Sequence, residues 1–141
     1  MDGLEFTWDR TRMDECRVLQ WLRDSYWASH RPEETARRSW DRSLCLSAFL
    51  QGEQVGFARV ITDGATHAWI CDVMVNPEHR GQGIGKALMA ECLAHEEVRD
   101  LRLVTLGTRD AHTLYEQFGF RGENRLMALR RPENPDGSHG C

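Results

Sequence analysis

The chain has 141 residues, 40% of them apolar and 28% charged, with a formal net charge of −4. That length suits one self-supporting domain, and the ordinary apolar share excludes a fibrous or wholly disordered chain. The acidic balance argues against nucleic-acid binding, and no apolar run approaches the roughly 18 residues of a membrane helix.

Leu4-Glu5-Phe6-Thr7-Trp8 alternates and predicts a short strand. From Arg12 to Trp27, the residues Met13, Val18, Leu19, Leu22, Tyr26 and Trp27 fall near one helical face. His30-Arg31-Pro32 interrupts, and Pro32 suits the first turn of a second helix. That helix runs from Glu33 to about Ser43, with acids at its start and Arg42 at its end, as the helix dipole favours. Leu44 to Leu50 and Val55 to Thr62 predict strands joined by a turn at Gln51-Gly52-Glu53-Gln54, and Asp63-Gly64 marks a second hairpin. Ala65 to Val75 is a long strand closed by Asn76-Pro77. Ile84, Leu88 and Cys92 give one buried face of a helix reaching about His95. Leu101 to Leu106 predicts a strand, and a helix from about Asp110 to Phe118 stops at Gly119. Asn124 to Arg130 predicts a last strand.

The domain therefore covers residues 1–130, and residues 131–141, nearly without apolar side chains, read as a disordered tail. The order β-α-α-β-β-β-α-β-α-β combines consecutive hairpins with one strand–helix–strand crossover. An α/β (α+β) fold with a mixed, mostly antiparallel sheet follows.

Cys16, Cys45, Cys71, Cys92 and Cys141 include no C-x-x-C pair, so neither a zinc site nor a disulfide framework is expected. Cys45 and Cys71 lie in apolar runs and read as buried thiols. No secretory apolar segment opens the chain, and the reducing cytosol is the expected compartment.

Between the long strand and the helix after it lie Gly81, Gly83 and Gly85, flanked by Arg80 and Lys86. Glycines admit close backbone approach, and a helix start offers unpaired N–H groups and partial positive charge. Together they make a phosphate or pyrophosphate site. A P-loop is disfavoured, because Lys86 precedes Ala87 rather than a hydroxyl residue. A dinucleotide fold is disfavoured by the G-x-G-x-G spacing and the antiparallel strands upstream. A plain tight turn seldom needs three alternating glycines between two cations.

The run from Asp72 to Leu88 resembles the acetyl-coenzyme A segment of the GNAT N-acetyltransferases, with Arg80-Gly81-Gln82-Gly83-Ile84-Gly85 matching that family's [QR]-x-x-G-x-[GA]. Ala111-His112-Thr113-Leu114-Tyr115-Glu116-Gln117-Phe118-Gly119-Phe120 is similar to the family's A-x-x-L-Y-x-x-x-G-F, in the same order. The resemblance implies six to seven strands with about four helices, acetyl-CoA as co-substrate, and no metal. It implies that the strand before the glycine loop splays from its neighbour, so that the pantetheine arm adds to the edge around Val73 and Val75. It further implies that the amides of Gly81, Gln82, Gly83, Ile84, Gly85 and Lys86, with the Arg80 side chain, hold the pyrophosphate. A backbone N–H near Val73 or Met74 would receive the oxyanion. Tyr115 would protonate or bond the departing thiolate. Thr108 stands where the family often has an asparagine that contacts the coenzyme.

For the amine's proton, Asp72 is a candidate base. Strand alternation puts it with Met74, opposite Val73 and Val75. It is equally placed to bond a neighbouring loop or the helix after Pro32. His67 and His112 are lesser candidates, and bulk water removes the need for any of them. The first two helices shape the acceptor pocket in this family. Tyr26, Trp27 and His30 read as an aromatic wall for a cationic or planar amine, or as ordinary packing. The expected function is acetyl transfer to a primary amine by direct attack in a ternary complex. A small molecule is favoured over a protein acceptor, and a homodimer is a further expectation. The competing reading is a non-catalytic acyl-CoA-binding or sensing module on the same fold.

Overall fold

The computed structural model describes residues 2–109, 112–123 and 125–132, with the backbone alone at His112. Five strands form one sheet in sequential order: β1 (Leu4–Thr7), β2 (Leu44–Leu50), β3 (Glu53–Thr62), β4 (His67–Val75) and β5 (Leu103–Leu106). The first four are antiparallel, and β5 joins β4 in parallel. Gln51 and Gly52 both take positive φ (52° and 80°), which matches the tight two-residue link between Leu50 and Glu53.

Helices α1 (Glu15–Arg23) and α2 (Glu33–Asp41) cover one face of the sheet, and α3 (Ile84–Ala94) covers the other. Asp14 caps α1 by accepting from the Arg17 N–H, and Val18, Leu19 and Leu22 form its buried stripe. On the α1–α2 side the core holds Trp40, Phe57 and Met74; on the α3 side it holds Leu46, Val60, Ile70, Leu88 and Met89. Gly56 sets how closely α3 approaches the sheet. A Cβ there would lie 3.1 Å from both Ile84 Cγ2 and Leu88 Cδ1.

One irregularity organises the site. The β3–β4 register passes from Arg59↔Cys71 to Phe57↔Met74, so Ala58 faces two residues, Asp72 and Val73. Asp72 takes φ 51°, a left-handed conformation costing a residue with a Cβ roughly 1–2 kcal/mol. This bulge inverts the pleat. Before it, Ala68 and Ile70 pack against the α3 core; after it, Val73 and Val75 do, and Asp72 and Met74 turn to the α1–α2 side. Asp72 thus shares a face with Met74, as alternation predicts.

Three expectations are corrected. The sheet has five strands among the described residues, not six to seven. Residues 125–130 form no strand, and Leu126, Met127 and Leu129 are exposed by 77%, 94% and 80%. Apolar content predicts a strand only where there is an edge to pair with and a face to bury. The last helix, α4 (His112–Glu116 among the described residues), ends before the predicted Phe118; its end is closed by Phe118 and Gly119 N–H groups donating to Tyr115 O and Glu116 O. Gly119, at φ 92°, is the expected stop. Cys16 is disulfide-bonded, whereas Cys45, Cys71 and Cys92 are free. Asp110, Ala111, Asn124 and the tail from residue 133 lie outside the described residues. Among those described, no helix is long and apolar enough to cross a membrane.

Candidate active site

The pairing of β4 with β5 runs from His67↔Leu103 to Ile70↔Leu106 and stops. From Cys71 to Val75, β4 continues with β3 on one side and no described strand on the other. Main-chain N–H and C=O groups on that bare edge are available to an extended ligand.

The edge leads directly into the glycine loop. Asn76 N donates to Val55 O at 2.8 Å, and its side chain accepts from Glu78 N at 3.0 Å, which fixes the exit from β4. Gly81 and Gly83 have φ of 80° and 84°, and a Cβ on either would meet nothing within 4 Å. These glycines therefore answer to backbone conformation and leave open space beside the chain. Gly85 differs, since its Cβ would touch Val75 Cγ2 at 3.8 Å. No side chain caps α3, and its first bonded amide is that of Ala87, donating to Gly83 O at 3.0 Å. The N–H groups of Ile84, Gly85 and Lys86 precede that first bond at the positive end of the helix. Arg80 and Lys86 are exposed on either side. A diphosphate fits this arrangement.

A second cluster lies on the opposite face, at the bulge. Asp72 is only 4% exposed. Its Oδ1 accepts from Trp27 Nε1 at 2.8 Å, and its Oδ2 accepts from Arg31 Nη1 and Arg59 Nε, both at 2.9 Å. Arg59 Nη1 also donates to Ser43 Oγ at 3.0 Å. Burial alone would raise the Asp72 pKa. The Arg31 and Arg59 guanidiniums outweigh it and hold the carboxyl below its usual range. Asp72 thus has both carboxylate oxygens committed to side-chain donors. It ties the loop between α1 and α2 to the bulge, which is the neighbouring-loop alternative noted from the sequence.

Tyr26 and Trp27 stay partly open, at 52% and 40% exposure, and their rings meet edge to face at 5.1 Å. The Arg109 guanidinium lies 3.7 Å from the Tyr26 ring centroid, so the loop after β5 meets the α1–α2 loop here. Thr108, half-buried, belongs to that same loop. His30 is exposed and makes no described bond into the cluster. Tyr115 lies on the other side, against the α3 core that Val73, Val75 and Leu106 also border, and is edge-on to Phe120 at 6.3 Å. His67 is held by Thr105 Oγ1 at 2.7 Å, toward the far end of β4, and the His112 side chain lies outside the described residues. Burial raises the thiols of Cys45, Cys71 and Cys92 to about 12, 11 and 12, so none is a thiolate at neutral pH. Among the described residues no cluster of His, Cys, Asp or Glu could hold a metal.

The structure thus brings Tyr26, Trp27 and Asp72 together, and sets Val73, Val75 and Tyr115 against one core on the other face of the sheet. Arg31, Arg59 and the bulge were not predicted as parts of the site. Arg59 carried a signal: a full charge inside the apolar run Val55 to Ile61 requires a buried partner.

Residues 14–120 match the sequence profile of the acetyltransferase (GNAT) family. The uncharacterized N-acetyltransferase ycf52 of Gracilaria tenuistipitata var. liui is 30% identical over 108 residues, covering 72% of this chain and 59% of the relative. A mycothiol acetyltransferase of Streptomyces bingchenggensis is 33% identical over 100 residues, covering 70% of this chain and 32% of the relative. The chain therefore spans at most about three-fifths of the length of either relative. Among solved structures, a GNAT-family protein of Xanthomonas campestris pv. campestris superposes with a TM-score of 0.90 at 39% identity, covering 96% of this chain and 99% of that one. A Clostridium acetobutylicum protein solved with acetyl-CoA shares the fold, with a TM-score of 0.71 at 13% identity over 90% of this chain and 96% of that one.

Proposed function

The chain belongs to the acetyltransferase (GNAT) family, and on that premise we propose that it transfers the acetyl group of acetyl-CoA to the primary amine of a small molecule. The observation that carries this reading is that the β4 segment Cys71–Val75, which pairs with no described strand on the β5 side, leads within the chain into the uncapped start of α3. One end offers main-chain partners for the amides of the pantetheine arm. The other offers glycine space and helix-start amides for the diphosphate, with Arg80 and Lys86 beside them. That length and this order of donors suit a coenzyme A thioester better than a nucleotide alone.

The chemistry follows from where the groups lie. The amine approaches from the side of Tyr26 and Trp27, and the thioester lies along β4. A main-chain N–H near Val73 or Met74 stabilises the oxyanion as the C–N bond forms. Tyr115, on the α3 side, hydrogen-bonds or protonates the departing sulfur. A free phenol, with a pKa near ~10, gives up its proton less readily than a thiol near ~8.5, so the transfer is concerted with C–S cleavage. The neutral thiols of Cys45, Cys71 and Cys92 support direct attack over an acyl-cysteine intermediate. No step is routed through Asp72, and the amine's proton leaves to water.

The test has two parts. Thermal unfolding is compared with acetyl-CoA, ADP and NAD, since a ligand of the folded state raises its stability. Thiol release from acetyl-CoA is then followed against an amine panel, with the product identified by the mass of one added acetyl group. A shift specific to acetyl-CoA with thiol release supports acetyl transfer. A specific shift with no turnover on a broad panel leaves an acyl-CoA sensor. Equal shifts with all three ligands sink both.

A further inference from the structure

The charges at the bulge do not balance. Arg31 and Arg59 bring two guanidinium charges to one carboxylate, Asp72, and no other described acid pairs with either of them. Arg59 is deep, with its side chain 10% exposed, and is used by both Asp72 and Ser43. Arg31 is the outer member. Its side chain is 22% exposed and commits only Nη1 to Asp72. It stands four residues beyond Trp27, whose indole is bonded to the same carboxylate and remains 40% exposed. A planar fork of donors is thus left at the mouth of the acceptor side, beside an aromatic wall, with one positive charge unneutralised. Such a fork matches carboxylate or phosphate oxygens, and a polycation would be repelled there.

We propose that the acceptor is an amine that also carries an anionic group, a carboxylate or a phosphate, and that Arg31 binds that group and so determines specificity. This replaces the cationic acceptor that the aromatic residues alone suggest, and it rests on the acetyl-transfer reading. Trp27 and Asp72 position Arg31, and the aromatic faces of Tyr26 and Trp27 cover the body of the acceptor.

The experiment uses the full chain with saturating acetyl-CoA and matched amine pairs. The pairs are α-amino acids against their carboxamides and 2-aminoethyl phosphate against ethanolamine, with spermidine as the polycation. In the wild type the anionic member is expected to have a kcat/KM at least about tenfold higher, the amino-acid and phosphate arms telling which anion is read. In Arg31→Gln the members of a pair converge to within about twofold through a rise in KM for the anionic one, and Arg31→Lys, which keeps the charge but loses the planar fork, retains only part of the preference. In coenzyme-saturated protein, inorganic phosphate or acetate raises the unfolding temperature of the wild type and not of Arg31→Gln. Preference for the neutral amine or for spermidine overturns the proposal, as does a preference that survives Arg31→Gln. If Arg31→Gln does not fold, the wild-type order of acceptors and the Arg31→Lys variant decide. If acetyl-CoA binds but no amine is acetylated, acetyl transfer fails, and the absence of an anion-induced shift overturns this inference separately.

Discussion

The glycine loop after β4 is built from consecutive residues and offers mostly backbone, whereas the cluster around Asp72 is built from side chains at positions 27, 31, 59 and 72. The loop is exposed, and its glycines have open space beside them. At the centre of the cluster Asp72 is buried, and both of its carboxylate oxygens have partners. The difference teaches how tolerance should differ. In the loop, a substitution damages ligand binding more than folding, because little protein packs there. In the cluster, removal of one member strands a charge in the interior, and folding suffers first.

The sharpest break is Asp72→Ala, which leaves Arg31 and Arg59 without their carboxylate. A loss of about 3–5 kcal/mol in urea unfolding is expected; a loss under about 1 kcal/mol would show that the cluster is not a structural anchor. Next comes Gly83→Glu, which puts bulk and negative charge into the space beside the uncapped helix start. Calorimetric titration should show acetyl-CoA affinity falling at least about 100-fold, beyond the strain of roughly 1–2 kcal/mol that φ 84° imposes on a side chain. Unchanged affinity would move the diphosphate elsewhere. Tyr115→Phe keeps the ring packed against Phe120 while deleting the hydroxyl. Turnover should fall about 10- to 100-fold with coenzyme affinity within about twofold, and an equal rate would remove Tyr115 from the reaction. Gly56→Ala alters no charge and no hydrogen-bonding side chain, and calibrates the packing of α3 beneath the loop. Its new Cβ at 3.1 Å from Ile84 and Leu88 forces α3 outward, for about 1–3 kcal/mol in the same unfolding assay.

The smallest effect sharpens the account of the cluster. Because the folded Asp72 has a depressed pKa, its contribution is fully present above the unfolded value near ~3.9 and is lost as pH falls through the lower folded value. The stability advantage of the wild type over Asp72→Asn should therefore be constant from about pH 5 to 7 and shrink below about pH 4. An advantage that instead shrinks as pH rises would contradict the ion-pair assignment.

How much of this was readable in advance differs between the two regions for one reason. The order of elements up to α4, the hairpin at Gln51-Gly52 and the glycine loop follow from residues adjacent in the chain, where periodicity, turn chemistry and backbone freedom act locally. The last strand did not form. Leu126, Met127 and Leu129 satisfy a local pattern, but a strand exists only in relation to an edge and a core. Asp72 was visible as a conspicuous acid in an apolar strand, and its alternation with Met74 was correct. Its chemistry was not visible, because that depends on what lies opposite it.

The sequence alone determined a strand, a glycine turn and a helix start that together suit a diphosphate, since those properties belong to neighbouring backbone units. Only the tertiary structure decided that Asp72 is neutralised twice over, that β4 inverts its pleat there, and that Arg31 is left with charge to spare. Burial and Coulomb interactions act through space between residues 13 to 45 positions apart, and no local pattern records which of them will meet.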